Sequence, residues 1–394
     1  MNTPPYHIRS RLRDVRLDNH QVILRVDCNV PLDHATILDD YRLTQLQETL
    51  DYLKKEQAQV LLIGHLGRPH GRDRNLSLQP VVDWFTAHGY DAVLADGIPG
   101  ARALLKKHPL VVLENIRFWP EELTNDKNFA QQLKELAPFY INDAFGTLHR
   151  TDTSLLALAN AYAPEERTIG FLVERELSML NQLIEKPKHP YVVFIGGSKL
   201  TTKLPLISEL IKKADMIALL PAIANTIAQY QGLSIGTSLV DTQATQSVAV
   251  LLEQARKLHK EIIIPEDYLV SLGNFTGPFT YVGAHEVQEN HMIISIGPRT
   301  LERYQHLIAT AQTIFINGIA GDARYPETLN EMRTLLQTLC PSRAFRVVGG
   351  GDSVGIIHQL KLMHCADWCS TGGGATLQYL SGQPLPALAP FVAP

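Results

Sequence analysis

In the first 150 residues of this 394-residue chain, arginines and histidines recur at the ends of short apolar runs. The clusters are Arg25-Val-Asp-Cys-Asn29, His65-Leu-Gly-Arg68-Pro, Glu114-Asn-Ile-Arg117-Phe and Asn142-Asp-Ala-Phe-Gly-Thr-Leu-His-Arg150. A guanidinium stays charged at any working pH and grips phosphate or carboxylate through a planar fork. Arg42, Arg68, Arg117 and Arg150, accompanied by Asp27, Asn29 and His65, could together hold a small polyanion. Surface ion pairing explains most arginines taken singly, but several near successive strand ends argue for one crevice. In parallel α/β sheets, ligands bind beyond the carboxyl ends of the strands.

After residue 190 the clusters change character. Lys199 and Lys203 lie four apart after Gly196-Gly197, a spacing that predicts two ammonium groups on one face of a helix near its N-terminus, where backbone N–H groups also favour an anion. Gly349-Gly350-Gly351-Asp352-Ser353 and Thr371-Gly372-Gly373-Gly374 follow apolar runs. Glycines at strand-to-helix turns let the backbone approach a phosphate closely. Neither matches the dinucleotide fingerprint or the P-loop, which disfavours a dehydrogenase. Asp352 at such a lip suits Mg²⁺ bridging phosphates, an ion that takes one or two carboxylates plus phosphate oxygens.

The elements that must position these groups are legible as alternation. Short Val/Ile/Leu-rich runs at 22–26, 60–64, 91–94, 110–114 and 139–142 alternate with helical-period stretches at 41–55, 79–88, 101–107 and 128–136. Runs at 191–195, 216–220, 261–264, 313–316, 345–348 and 367–370 repeat the scheme. Such alternation predicts βαβ units, hence an α/β fold of two doubly wound parallel-sheet, Rossmann-like domains. The chain also exceeds the roughly 250–300 residues at which one core stops growing. Residues 167–185 read as an amphipathic helix connecting the domains. The expected division is 1–170 and 171–383.

Hydrophobic residues are 45% and charged residues 19% of the chain, so a packed globular protein is expected rather than a disordered one. The net charge is −4, and residues 1–150 carry 18 Lys+Arg against 19 Asp+Glu, so an anion site there must come from local placement of charge. Nothing global suggests nucleic acid. No run approaches the ~20 apolar residues of a membrane span, and the N-terminus lacks a signal-peptide core, which predicts a cytoplasmic protein. Cys28, Cys340, Cys365 and Cys369 show no Cys-x-x-Cys spacing and are expected as reduced, packed thiols.

Seven segments, in order and over the chain from about residue 6 onward, resemble the phosphoglycerate kinase family. They are the four clusters above, Gly-Gly-Ser-Lys-Leu-Thr-Thr-Lys203, Gly-Gly-Gly-Asp352-Ser and Ser370-Thr-Gly-Gly-Gly-Ala. The resemblance implies reversible phosphoryl transfer between 1,3-bisphosphoglycerate and ADP, giving 3-phosphoglycerate and ATP in glycolysis. It implies that Asp27, Asn29, Arg42, His65, Leu66, Gly67, Arg68, Arg117 and Arg150 bind the glycerate substrate. Arg42, Lys199 and Lys203 would be catalytic. Lys199, Lys203, Asn317, Gly350, Gly351, Asp352, Ser353, Gly372, Gly373 and Gly374 would hold nucleotide phosphates, with Asp352 on Mg²⁺. It further implies a monomer that binds small molecules, bends near residues 150–190, and returns residues 384–394 to its first domain.

Two departures from the family pattern fall in the second half. Leu220-Pro221-Ala222 stands where the family has a glycine triplet, and Arg324 where it has a ribose-binding Glu. Asp322 or Glu327 could replace that carboxylate. These changes leave open the same chemistry with another nucleotide, or a weakly active paralogue that binds phosphoglycerate as a sensor.

Overall fold

The computed structural model describes residues 6–393. The chain divides into two compact units, one running to Ser178 and regaining the chain from Pro384, the other spanning Met179–Gln383. The division therefore falls inside the helix at 171–184 rather than at its start.

The first unit contains β1 (Gln21–Val26), a small hairpin of β2 (Leu32–Asp33) and β3 (Thr36–Ile37), then β4 (Gln59–Ile63), β5 (Ala92–Ala95), β6 (Leu110–Leu113), β7 (Phe139–Asp143) and β8 (Arg167–Ile169). Six strands form one parallel sheet in the order β5-β6-β4-β1-β7-β8. Its central strands are buried along their length, as a sheet covered by helices on both faces requires. The order leaves β4, β1 and β7 adjacent, so the clusters after residues 26, 63 and 143 emerge side by side.

The expected helix over 41–55 is broken at Gln45-Leu46 into Tyr41–Thr44 and Gln47–Lys55. The segment expected as one connecting helix over 167–185 is instead β8 followed by helix Phe171–Ile184. Gly170 makes the turn, because a Cβ there would lie 2.2 Å from the Asp143 carboxyl carbon. That carboxylate accepts the Val173 N–H at 3.0 Å and the Thr49 hydroxyl at 2.6 Å. Burial pushes it up to about 7. The C-terminal segment lies on this unit: Phe391 O accepts the Arg9 N–H at 2.9 Å, and Ala387 N–H donates to Leu148 O at 3.1 Å.

The second unit contains β9 (Tyr191–Ile195), β10 (Met216–Leu219), β11 (Glu261–Ile263), β12 (Asp267–Ser271), β13 (Phe279–Gly283), β14 (Met292–Ile296), β15 (Thr313–Asn317), β16 (Phe345–Gly349) and β17 (Trp368–Cys369). Its parallel sheet runs β11-β10-β9-β15-β16-β17. The antiparallel sheet β13-β12-β14 is an addition that strand–helix alternation did not foresee. It encloses a small core of Ile235, Tyr268, Val270 and Ile293. A second correction concerns the cysteines. Cys340 and Cys365 are joined by a disulfide, their Cα atoms 4.2 Å apart, whereas Cys28 and Cys369 are buried outside that bond.

Candidate active site

Asp27 and Asn29 leave the end of β1 as a tight turn, with Asn29 N–H donating to Asp27 Oδ1 at 3.0 Å. The Asp27 carboxylate stands 3.7 Å from Arg42 and 3.9 Å from His65 Nδ1. Burial alone would raise this carboxyl, but Arg42, then His65, the Asn29 amide and Arg25 outweigh it and hold it below the usual range. Arg42 also donates to Asn29 O. His65 is pushed down to about 3, chiefly by burial, with Arg25, Arg117 and Arg150 adding to the effect against Asp27. It is therefore a neutral imidazole at working pH.

The loop after β4 is held from two sides. Gly67 N–H donates to Asn29 Oδ1 at 2.9 Å and its carbonyl accepts Arg117 at 2.6 Å. Leu66 is clamped by Asn115, which accepts its N–H at 3.3 Å and donates to its carbonyl at 2.7 Å. Gly67 has φ +62°, and a Cβ there would meet Leu76 at 2.8 Å, so a side chain would displace the loop. A cavity of about 350 Å³ opens here, lined among others by Asn29, Leu66, Gly67 and Asn75. Arg68 is exposed beside it.

Arg117 and Arg150 converge on one carboxylate, Asp152, at 3.6 and 3.7 Å. Burial lowers Arg117, and Arg150 lowers it further. At this site His65 Nδ1, Arg117 Nε and His149 Nδ1 are buried with no hydrogen-bond partner, as are Arg25 NH2, Asn142 Nδ2 and Arg167 Nε. Orphaned buried polar atoms are uncommon, and a catalytic or ion-binding role is one standard reason for them. Arg25 is tied into the fold through Nε, which donates to Ser154 Oγ at 2.7 Å, and Ser154 in turn donates to Glu122 at 2.6 Å. Burial pushes Glu122 up to about 7.

In the second unit, Lys199 is the extended N-cap residue of helix Leu200–Leu210 rather than a member of it. This corrects the expectation of two lysines on one helix face. Lys199 is exposed; nearby Asp241 is lowered chiefly by the Thr201 N–H it accepts at 2.9 Å and the Thr201 hydroxyl, with Lys199 adding least. Lys203 is half-buried and donates to Asn317 Oδ1, while Asn317 Nδ2 donates to Gly349 O at 2.7 Å. Burial lowers Lys203, against the pull of Asp352.

The Gly350 turn leads into helix Gly351–Gln359 with φ +98°, and a Cβ there would lie 2.5 Å from Asn317 Nδ2. Ser353 Oγ accepts the Gly318 N–H at 2.6 Å, tying this turn to the end of β15. The Gly372-Gly373-Gly374 turn enters helix Gly374–Leu380. Gly372 N–H donates to Ser370 Oγ at 3.1 Å, and Thr376 approaches the Cβ position of Gly349 at 3.3 Å. Lys203, Asn317, the Gly350 turn and the Gly372 turn thus share one end of the sheet.

Leu220 is fully buried, with Cδ1 3.1 Å from the Cβ position of Gly196. Arg324 is 77% exposed and grips Asp322 through Nε at 3.0 Å and NH2 at 2.6 Å. Asp322 is thereby occupied by the cation beside it, and Glu327 is exposed.

Sequence reasoning missed Asp152, Asn115 and His149 as parts of the site. Asp152 and Asn115 carry no special spacing, although Asn115 and His149 sit inside the quoted clusters.

These two sets of strand ends define a two-unit α/β protein whose turns carry arginines in one unit and lysines and glycines in the other. The phosphoglycerate kinase family model matches residues 12–383. Phosphoglycerate kinases of Borrelia garinii subsp. bavariensis and Aquifex aeolicus are each 34% identical, covering 93% and 96% of this chain and 95% and 97% of their own. The structure of phosphoglycerate kinase from Coxiella burnetii superposes with a TM-score of 0.84 at 30% identity, over 98% of this chain and 99% of that one. The chain belongs to the phosphoglycerate kinase family. Its activity is that of a phosphotransferase with a carboxyl group as acceptor, a glycolytic kinase whose family uses ADP and ATP.

Proposed function

We propose that the first unit holds the phosphoglycerate and the second the nucleotide phosphates. The observation that carries the first assignment is the set of orphaned nitrogens on His65, Arg117 and His149 beside paired guanidinium groups. Asp152 keeps Arg117 and Arg150 side by side against their mutual repulsion. A bound phosphate or carboxylate supplies the missing hydrogen bonds. Neutral His65 donates one without adding charge.

Phosphoryl transfer spreads charge over the equatorial oxygens of the migrating group, so the protein's task is chiefly positioning and electrostatic stabilisation. Arg42, only partly engaged by Asp27, is placed to meet that charge. Lys203, fixed by Asn317, neutralises nucleotide phosphate, and the Gly350 and Gly372 turns present backbone N–H groups. Lys199, being exposed, acts at the rim.

Asp352 lies in the first turn after the Gly350 cradle with an exposed side chain. A single carboxylate beside a phosphate cradle fits the donor preference of Mg²⁺. When bound there, Mg²⁺ would neutralise phosphate charge. Transfer demands donor and acceptor in line with water excluded, so the reading includes bending near residues 150–190 during turnover. It also includes a monomer acting in the cytoplasm; among the described residues no helix is long and apolar enough to cross a membrane.

A coupled assay with ATP, Mg²⁺ and 3-phosphoglycerate tests the reading, together with titrations of ADP and GDP. Turnover with preference for the adenine nucleotide is expected. Folded protein that binds 3-phosphoglycerate and no Mg-nucleotide would overturn it.

A further inference from the structure

The reactive chemistry assigned so far lies at the carboxyl ends of the strands. At the opposite ends of β16 and β17 sits a group that the transfer reaction does not use. Cys340 lies in the turn that follows helix Asn330–Gln337 and precedes β16, and Cys365 ends the short turn that precedes β17. Their disulfide joins two connections 25 residues apart in sequence. One ring nitrogen of His364 belongs to the same cluster, all three ligating atoms lying within 4.8 Å of one another, and His364 Nε2 is 3.5 Å from Cys365 Sγ.

Exposure divides the roles. Cys340 and His364 are exposed and Cys365 is buried, so an external thiol reaches the Cys340 sulfur first. The other two cysteines offer no competing chemistry. Both are buried, and burial, with Asp27 adding, pushes the Cys28 thiol up to about 12.

The framework holds the sulfurs together without the covalent bond. Arg346, near the start of β16, donates to Leu339 O at 2.9 Å, next to Cys340. The same guanidinium grips Asp367, just before β17, at 3.1 and 2.9 Å. The two backbones are also bonded, Asp367 N–H donating to Arg346 O at 2.9 Å. Opening the disulfide therefore leaves two thiols side by side, which makes its re-formation intramolecular and fast.

We propose that Cys340–Cys365 is a redox-active pair that exchanges with low-molecular-weight thiols and disulfides. In the reducing direction, an external thiolate attacks Cys340 Sγ, the S–S bond breaks, and Cys365 leaves as a thiolate beside His364. A second external thiolate attacks the mixed disulfide, releases Cys340 as a thiolate and forms the external disulfide. Two protons taken from solvent complete a net exchange in which the protein disulfide plus two thiols give the protein dithiol plus one external disulfide. The oxidising direction is the reverse, with the external disulfide as oxidant. Because β16 and β17 lead into the Gly350 and Gly372 turns, the bond ties the base of the strand pair that carries both glycine turns.

The test uses the full chain equilibrated with glutathione and glutathione disulfide in varied ratio, acid-quenched, alkylated and mapped by mass spectrometry. The expected result is a reversible, ratio-dependent loss of two hydrogens confined to the Cys340 and Cys365 peptides, with Cys28 and Cys369 unchanged. C340S is expected to abolish it while keeping the wild-type circular dichroism spectrum. Hydrogen exchange in residues 345–353 and 366–374 should be slower in the oxidised protein and equal in both buffers for C340S. A pair that stays reduced in excess glutathione disulfide, or stays bonded in the folded protein under excess glutathione, overturns the proposal. Exchange rates at the glycine turns that do not respond to the state of the pair would overturn the mechanical tie.

Discussion

Gly350→Ala is the sharpest perturbation of the nucleotide end. At φ +98° and ψ 140° an alanine is strained by about 1–3 kcal/mol. Its Cβ would also lie 2.5 Å from Asn317 Nδ2, a separation that real Cβ atoms essentially never show. Either the turn or the amide must shift, and the amide is the one link between Lys203 and Gly349 O. A hydrogen bond to a charged group contributes about 1.5–3 kcal/mol, so displacing Lys203 should weaken MgADP by roughly tenfold to a hundredfold. Because the first unit is untouched, affinity for 3-phosphoglycerate should hold. Strain of this size lowers the melting temperature by a few degrees, about 2–4 °C per kcal/mol for a unit of this length. Calorimetric titration of each ligand into folded variant reads both terms. MgADP affinity within about twofold of wild type, with an intact fold, would refute the argument that this backbone conformation positions Lys203.

Arg42→Ala should reduce kcat by about a hundredfold or more while changing KM for 3-phosphoglycerate far less, as expected for a side chain that meets charge formed during transfer; an unchanged kcat in steady-state assays refutes that role. Lys203→Ala should weaken MgADP and spare 3-phosphoglycerate, and equal loss of both in paired titrations would indicate a folding defect instead. For pH, the folded His65 is depressed to about 3 from an unfolded value near 6.5, so the unfolded chain binds the extra proton between these values. Its contribution is fully present above the unfolded value and is lost as pH falls toward 3. Glu122 and Asp143, raised to about 7, slope the other way, so the difference between wild type and His65→Gln is the informative quantity. Melting curves between about pH 4 and 7 should show wild type losing more stability than the variant on acidification, by up to a few kcal/mol, and parallel curves would contradict a buried neutral imidazole.

The residues after each apolar run were readable because strand period and glycine or arginine placement are local properties. Runs at 191–195 and 139–142 coincide with strands almost to the residue, since fully buried parallel strands read as unbroken Val/Ile/Leu. Strand β8 escaped notice because Thr168 and Ile169 merge with the apolar stripe of the helix that follows, and only the Asp143 carboxylate in another strand shows why the chain must turn at Gly170. The sheet β13-β12-β14 escaped because its strands pair with one another and not with the main sheet, which periodicity cannot report.

The chain's own order of residues determined its α/β class, its family and the two kinds of strand-end cluster, because each depends on neighbours within a few positions. Folding alone decided that Asp152 would bridge Arg117 and Arg150, that Arg25 Nε would donate to Ser154, that Lys199 would stand outside the helix, and that Cys340 would meet Cys365. Most of these outcomes pair groups well separated in sequence, and such pairing is set by how strands order within a sheet and how loops close over them. Side-chain chemistry names the possible partners, and three-dimensional proximity selects among them.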